Sequence, residues 1–222
     1  LCPTPEAARA LRGGTFEVGG ITVQGPLQKR AREAMLQFDP EVDFDVELDW
    51  PEVSRDYVES LADPQLEALM WGYYGGLPHV DHVFDKQVID PDSPAYGLFI
   101  HDSGKFVFHD VNWHNFYYPK PYNNLTMAHL AALLTVPTET NVTYRNREVL
   151  NRAQLSALAM INMLPSVGIL RSVRAEWGDG LSLDGFFQFS TLAEAYYHLE
   201  DLLDPEVRRV YEQALLFYAD HY

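Results

Sequence analysis

The strongest constraint on the fold is the apolar pattern over residues 147–164. Val149, Ala153, Leu155, Leu158, Ala159 and Met163 recur at helical spacing, which predicts a long helix with a continuous apolar face. Pro165 and Gly168 kink or split any continuation toward Arg174. A helix of this length cannot bury its face alone, so the flanking segments decide the architecture.

Most of those segments also read as helical. Thr4 caps a short helix over 5–12, which Gly13-Gly14 ends. Gly25-Pro26 opens a second helix to about Phe38, with Leu27, Ala31, Ala34, Met35 and Phe38 on its apolar face. Two more are expected over 51–61 and 64–74, and one from Asn123 or Asn124 to Leu134, closed by Pro137. Residues 182–190 form a short apolar helix or strand. Thr191 and Glu194 have the spacing of a capping box for a helix to Leu203. Asp204 caps the last helix, with Pro205 at its first position and residues 206–218 following.

Strand signals are few. Residues 15–23 alternate around Gly19-Gly20, and 96–111 alternate around Ser103-Gly104, each the pattern of a small hairpin. The acidic segment 39–50 places apolar residues at every second position from Val42 to Leu48. It reads as an edge strand or extended loop, with Asp43, Asp45 and Glu47 on a solvated opposite face rather than in a cation site. The expected fold is mainly α: a single compact helical domain over 1–222 with one or two small β-hairpins. Residues 1–50 supply an N-terminal arm, hairpin and helix. Residues 51–123 supply helices and a His- and aromatic-rich loop-hairpin, and 124–222 a helical C-terminal block.

Charge and composition narrow the partners. The chain is 47% hydrophobic, enough for a sizeable core, and carries a net charge of −16. No basic patch of useful size exists, which argues against nucleic acid and anionic membranes. No apolar run of about 18 residues is long enough to span a bilayer. Neutral or cationic small molecules are the favoured substrates. Cys2 is the one cysteine, so no internal disulfide is possible. Two N-glycosylation sequons, at Asn124 and Asn141, together with a first residue other than Met, tilt the expectation toward secretion.

Chemistry-capable side chains concentrate in residues 71–124. Five of the eight histidines lie there, namely His79, His82, His101, His109 and His114, interleaved with aromatic rings. His79, Asp81 and His82, with His101, His109 or His114 as a further ligand, offer the donors of a two-histidine, one-carboxylate centre for a divalent transition metal. Loop histidines that only hydrogen-bond would look the same. Rings and polar groups at this density also suit a glycan cleft, where Glu148, Glu176 and Asp179 are candidate acid/base carboxylates. A non-catalytic binding or interaction domain, with no cofactor, is the third class.

Leu1-Cys2-Pro3, the short helix after it, Gly13-Gly14 and Gly19-Gly20-Ile21-Thr22-Val23 resemble the N-terminus of the haem-thiolate peroxidases, the family of chloroperoxidase and the unspecific peroxygenases. Ile100-His101-Asp102-Ser103 resembles that family's second motif, and Glu176, after Arg171 and Arg174, its catalytic glutamate. Leu1 stands where the family has Pro, Ile100 where it has Glu, and Ala10-Leu11-Arg12-Gly13-Gly14 where it has Leu-Ala-Asn-His-Gly. The resemblance implies a secreted, glycosylated, mainly helical oxidoreductase acting on a small organic substrate. Cys2 would be the thiolate ligand of a haem, with Ser103 beside the cofactor. Glu176, with His101 and Asp102, would form the catalytic set, and Glu176 would move a proton as general acid/base.

Overall fold

The computed structural model describes residues 17–18, 21–22, 26–49, 56, 60, 87–93, 96–99, 130–138, 141–163 and 192–219. Over these residues the protein is mainly helical. Glu17–Val18 (β1) and Ile21–Thr22 (β2) pair antiparallel through two residue pairs, Glu17 with Thr22 and Val18 with Ile21. A ladder this short has little stability of its own. Gly19-Gly20 and Ser103-Gly104 lie outside the described residues.

Pro26–Met35 forms α1. Pro26 occupies the first position, where its missing N–H costs nothing. Gln28, Ala31, Ala34 and Met35 are buried, while Lys29 and Glu33 pair across one exposed turn at 3.7 Å. The helix ends at Met35 rather than Phe38, and Gln37 and Phe38 instead close turns on the carbonyls of Ala34 and Met35.

Pro40–Asp43 forms a one-turn helix, α2, where the sequence pattern predicted extended chain. The Asp39 carboxylate accepts from the Glu41 N–H at 3.0 Å, and the Asp43 carboxylate accepts from the Asp39 N–H at 2.7 Å. This reciprocal capping satisfies two of the donors that a helix start leaves open. Val42 therefore faces solvent at 69% exposure, out of step with the alternation it seemed to begin. From Phe44 onward the alternation holds without a strand partner among the described residues. Phe44 is buried, Val46 and Leu48 pack on the core, and Asp45, Glu47 and Asp49 are exposed.

Arg147–Met163 is α3, the centre of the molecule. Asn146 caps it, its side chain accepting from the Val149 N–H at 3.1 Å and its carbonyl from the Leu150 N–H at 3.0 Å. From Val149 to Asn162 every residue is buried. A helix covered on all sides presents its polar side chains to protein rather than water; among the described residues Ser156 Oγ and Asn162 Oδ1 find no partner, and the others do. Asn151 donates to the Asp43 carbonyl, and Arg152 to the Phe44 carbonyl, so α3 holds the end of α2. Gln154 exchanges bonds with Asp204, donating to its carboxylate at 3.0 Å and accepting from its N–H at 2.7 Å.

Residues 192–199 are helical, and Pro205–Ala219 forms α4. Val207, Val210, Tyr211 and Ala214 make the buried stripe of α4. Arg30 of α1 donates to Gln213 at 2.7 Å and to Glu206 at 3.1 Å, tying α1 to α4. Tyr211 is fully buried and donates to the Leu192 carbonyl at 2.7 Å, and burial pushes its hydroxyl far above the usual range. The expected cap at Asp204 takes a different form. Its carboxylate turns to α3, accepting from Arg147 at 2.7 Å and from Gln154. One buried apolar cluster joins α1, Phe44, residues 96–99, residues 130–134, α3, residues 192–203 and α4.

Candidate functional site

Of the candidate chemistry, Cys2, His79, Asp81, His82, His101, Asp102, Ser103, His114, Glu176 and Asp179 all lie outside the described residues. Glu148 is described and half-buried in the first turn of α3. His198 is partly exposed, with its ring edge-on to Tyr197 at 5.5 Å. Within the His-rich stretch, residues 87–93 and 96–99 are described, and they attach that stretch to the core.

The attachment is a reversal of the chain. Asp90 starts the turn, its carboxylate accepting from the Asp92 N–H at 2.9 Å and its carbonyl from the Ser93 N–H at 3.1 Å. Val88 then exchanges backbone bonds with the returning chain, to Leu98 at 2.8 Å and from Gly97 at 2.7 Å. Gln87 and Phe99 form an antiparallel bridge. Residues 96–99 were expected to turn back at Ser103-Gly104; the partner seen for them is the preceding segment at Gln87 and Val88.

Three side chains and one absent side chain fix this reversal on the helices. The Gln87 amide donates to the carbonyls of Gly97 at 3.1 Å and Arg152 at 2.9 Å. Tyr96 donates to the Met35 carbonyl at the end of α1 at 3.1 Å. Burial drives the Tyr96 hydroxyl up to about 12, the cation of Arg32 opposing the rise and Asp43 adding to it. The Arg32 guanidinium lies 5.6 Å from the Tyr96 ring centre and donates to the Pro91 carbonyl at 2.8 Å. Gly97 has φ +84, and a Cβ there would meet the Ala159 Cβ at 2.7 Å and the Leu155 carbonyl oxygen at 2.9 Å. Only glycine lets the chain lie so close to α3.

The sequence reading singled out none of Gln87, Tyr96 or Gly97. The available signal was an isolated glycine inside a run of apolar and aromatic residues, which marks close backbone approach. The polar groups of α3 were likewise passed over, since helical periodicity reports the apolar positions only. No family model, no curated protein and no solved structure matches the chain.

Proposed function

We propose that the chain is a secreted oxidoreductase acting on a small neutral organic substrate, with chemistry of the haem-thiolate peroxidase or peroxygenase type. The observation that carries the reading is the attachment of the His-rich stretch to α3. Gln87 and Phe99 are bridge partners, and the sequence leading to one carries His79, Asp81 and His82 while the sequence leaving the other carries His101, Asp102 and Ser103. In sequence these chemistry-capable groups flank a buried segment anchored on α3, and functional groups are commonly displayed next to such rigid scaffolds. In this reading Cys2 would hold the haem iron, Ser103 would contribute to cofactor binding, and Glu176, His101 and Asp102 would handle protons. A single compact domain with small hairpins belongs to the same proposal. Bound haem would supply the oxidising chemistry, and this chain's part is to hold it, exclude water and deliver protons.

The same bridge favours a second reading, a divalent transition-metal enzyme using His79, Asp81, His82 and His114, acting on glycans or small molecules. The two separate in one measurement. Purified protein, expressed with haem supplied, should show a Soret band that Cys2→Ala abolishes. A spectrum without haem, with metal present by elemental analysis and lost in His79→Ala, would select the second reading. Neither haem nor metal would leave a metal-free acid/base glycan enzyme or a non-catalytic binding domain, which a glycan-cleavage assay separates.

A further inference from the structure

We infer that the sequon Asn141-Val142-Thr143 is closed to N-glycosylation in the folded protein, so that a glycan at Asn141 and the native fold exclude each other. Asn141 is 5% exposed and Thr143 is fully buried. The Asn141 amide nitrogen, the atom a glycan would occupy, donates both of its hydrogens to backbone carbonyls. One bond goes to Leu133 at 2.6 Å and the other to Val136 at 2.8 Å. Its oxygen accepts from the Thr143 N–H at 3.1 Å and from the Thr143 hydroxyl. The side chain has two donors and two acceptor positions, and all four are used.

These bonds hold the connection between residues 130–134 and α3. The Leu133 carbonyl also accepts from the Val136 N–H at 3.4 Å and the Val136 carbonyl from the Thr138 N–H at 3.0 Å, so Asn141 adds a second bond to each where the preceding helical segment stops. The Arg145 N–H returns to the Leu134 carbonyl at 3.0 Å with Arg145 itself at φ 52, and Asn146 then caps α3. Asn141 and Thr143 are therefore a turn lock that sets where α3 begins. N-glycosylation forms a bond between the amide nitrogen and the sugar C1, releases the diphosphate carrier and removes one amide hydrogen as a proton. The lost hydrogen breaks one of the two carbonyl bonds, and the sugar would have to occupy the space between the amide and those carbonyls. The inference does not bear on the redox chemistry proposed above, but it removes the Asn141 sequon as support for secretion and leaves the one at Asn124.

The test uses a soluble N-glucosyltransferase with UDP-glucose, on a sequon peptide of residues 137–147 and on the intact chain made without glycosylation. Site occupancy is read by peptide mass mapping. An enzyme that modifies the peptide is the reagent. The folded chain should be modified at Asn141 at least about tenfold more slowly than the peptide, because reaction waits on local opening. Unfolding the chain in urea that the enzyme tolerates, or by truncation after residue 163, should restore the peptide rate. Modification of the folded chain at the peptide rate, with cooperative unfolding retained, would overturn the inference.

Discussion

At the scale of single residues, Gly97 couples the most consequences to the least chemistry. Its positive φ and its contact with Ala159 and Leu155 act together. Alanine there meets both overpacking and a left-handed backbone, so Gly97→Ala should cost about 2–4 kcal/mol. The measurement is the urea midpoint at unchanged m value. A loss below about 1 kcal/mol would mean that residues 96–99 can shift off α3 without penalty. The contact also shows what the sequence could and could not disclose at this scale. The helices α1 and α4 were legible because burial repeats every three to four residues, and α3 because its apolar residues recur at helical spacing although the whole helix is buried. Gly97, Gln87 and Asn141 were not, because their partners, Ala159, the Arg152 carbonyl and the Leu133 carbonyl, are set by the packing of separate elements. No local pattern encodes them.

At the scale of elements, helix starts were read more accurately than short irregular segments. Pro205 and Asn146 stand where the starts of α4 and α3 require them. Asp39-Pro40 is a helix-start signal that the sequence analysis did not take up, where the alternation of Val42, Phe44, Val46 and Leu48 pointed to extended chain. The local capping bonds of Asp39 and Asp43 decided the outcome in the folded chain. Asp204 shows a similar contest. Burial alone would raise its pKa, yet the bonds from Arg147 and Gln154, with the Arg147 charge, outweigh burial and hold it below the usual carboxylate value. A depressed folded pKa contributes stability above the unfolded value, near 4, and that stability is lost as pH falls through the folded pKa. Both partners are well solvated, at 55% and 35% side-chain exposure, so the contribution is discounted to about 1 kcal/mol or less. Asp204→Asn should therefore be less stable than the parent at pH 7, with the gap closing below about pH 4. A gap that stays constant from pH 7 to pH 3 would show that the charge contributes nothing and only the shape of the residue matters.

At the scale of the whole molecule, the excess of acidic charge sets how stability responds to salt. The chain carries 32 acidic against 16 basic residues. The basic residues seen in pairs, such as Arg30 with Glu206 and Arg208 with Glu212, are surface partners. Pairs of that kind contribute a few tenths of a kcal/mol each and weaken in salt. Against them stands the mutual repulsion of the excess carboxylates, such as Asp45, Glu47 and Asp49 along one exposed edge, which have no cationic partner among the described residues. This repulsion acts over distances comparable to the Debye length, about 10 Å at 0.1 M salt, and folding concentrates it. The two effects respond to salt with opposite signs, so the thermal midpoint decides between them. Because the excess is 16 charges, repulsion should win. Raising sodium chloride from about 0.02 M to about 0.3 M at pH 7 should raise the midpoint by several degrees, the shift that about 1 kcal/mol produces in a chain of this size. Sodium chloride is the suitable probe, since sulfate would also strengthen apolar burial and blur the sign. A midpoint that falls with salt would mean that surface ion pairs outweigh the net charge, and Arg30→Gln, which removes the pair with Glu206 between α1 and α4, would then reduce the salt dependence.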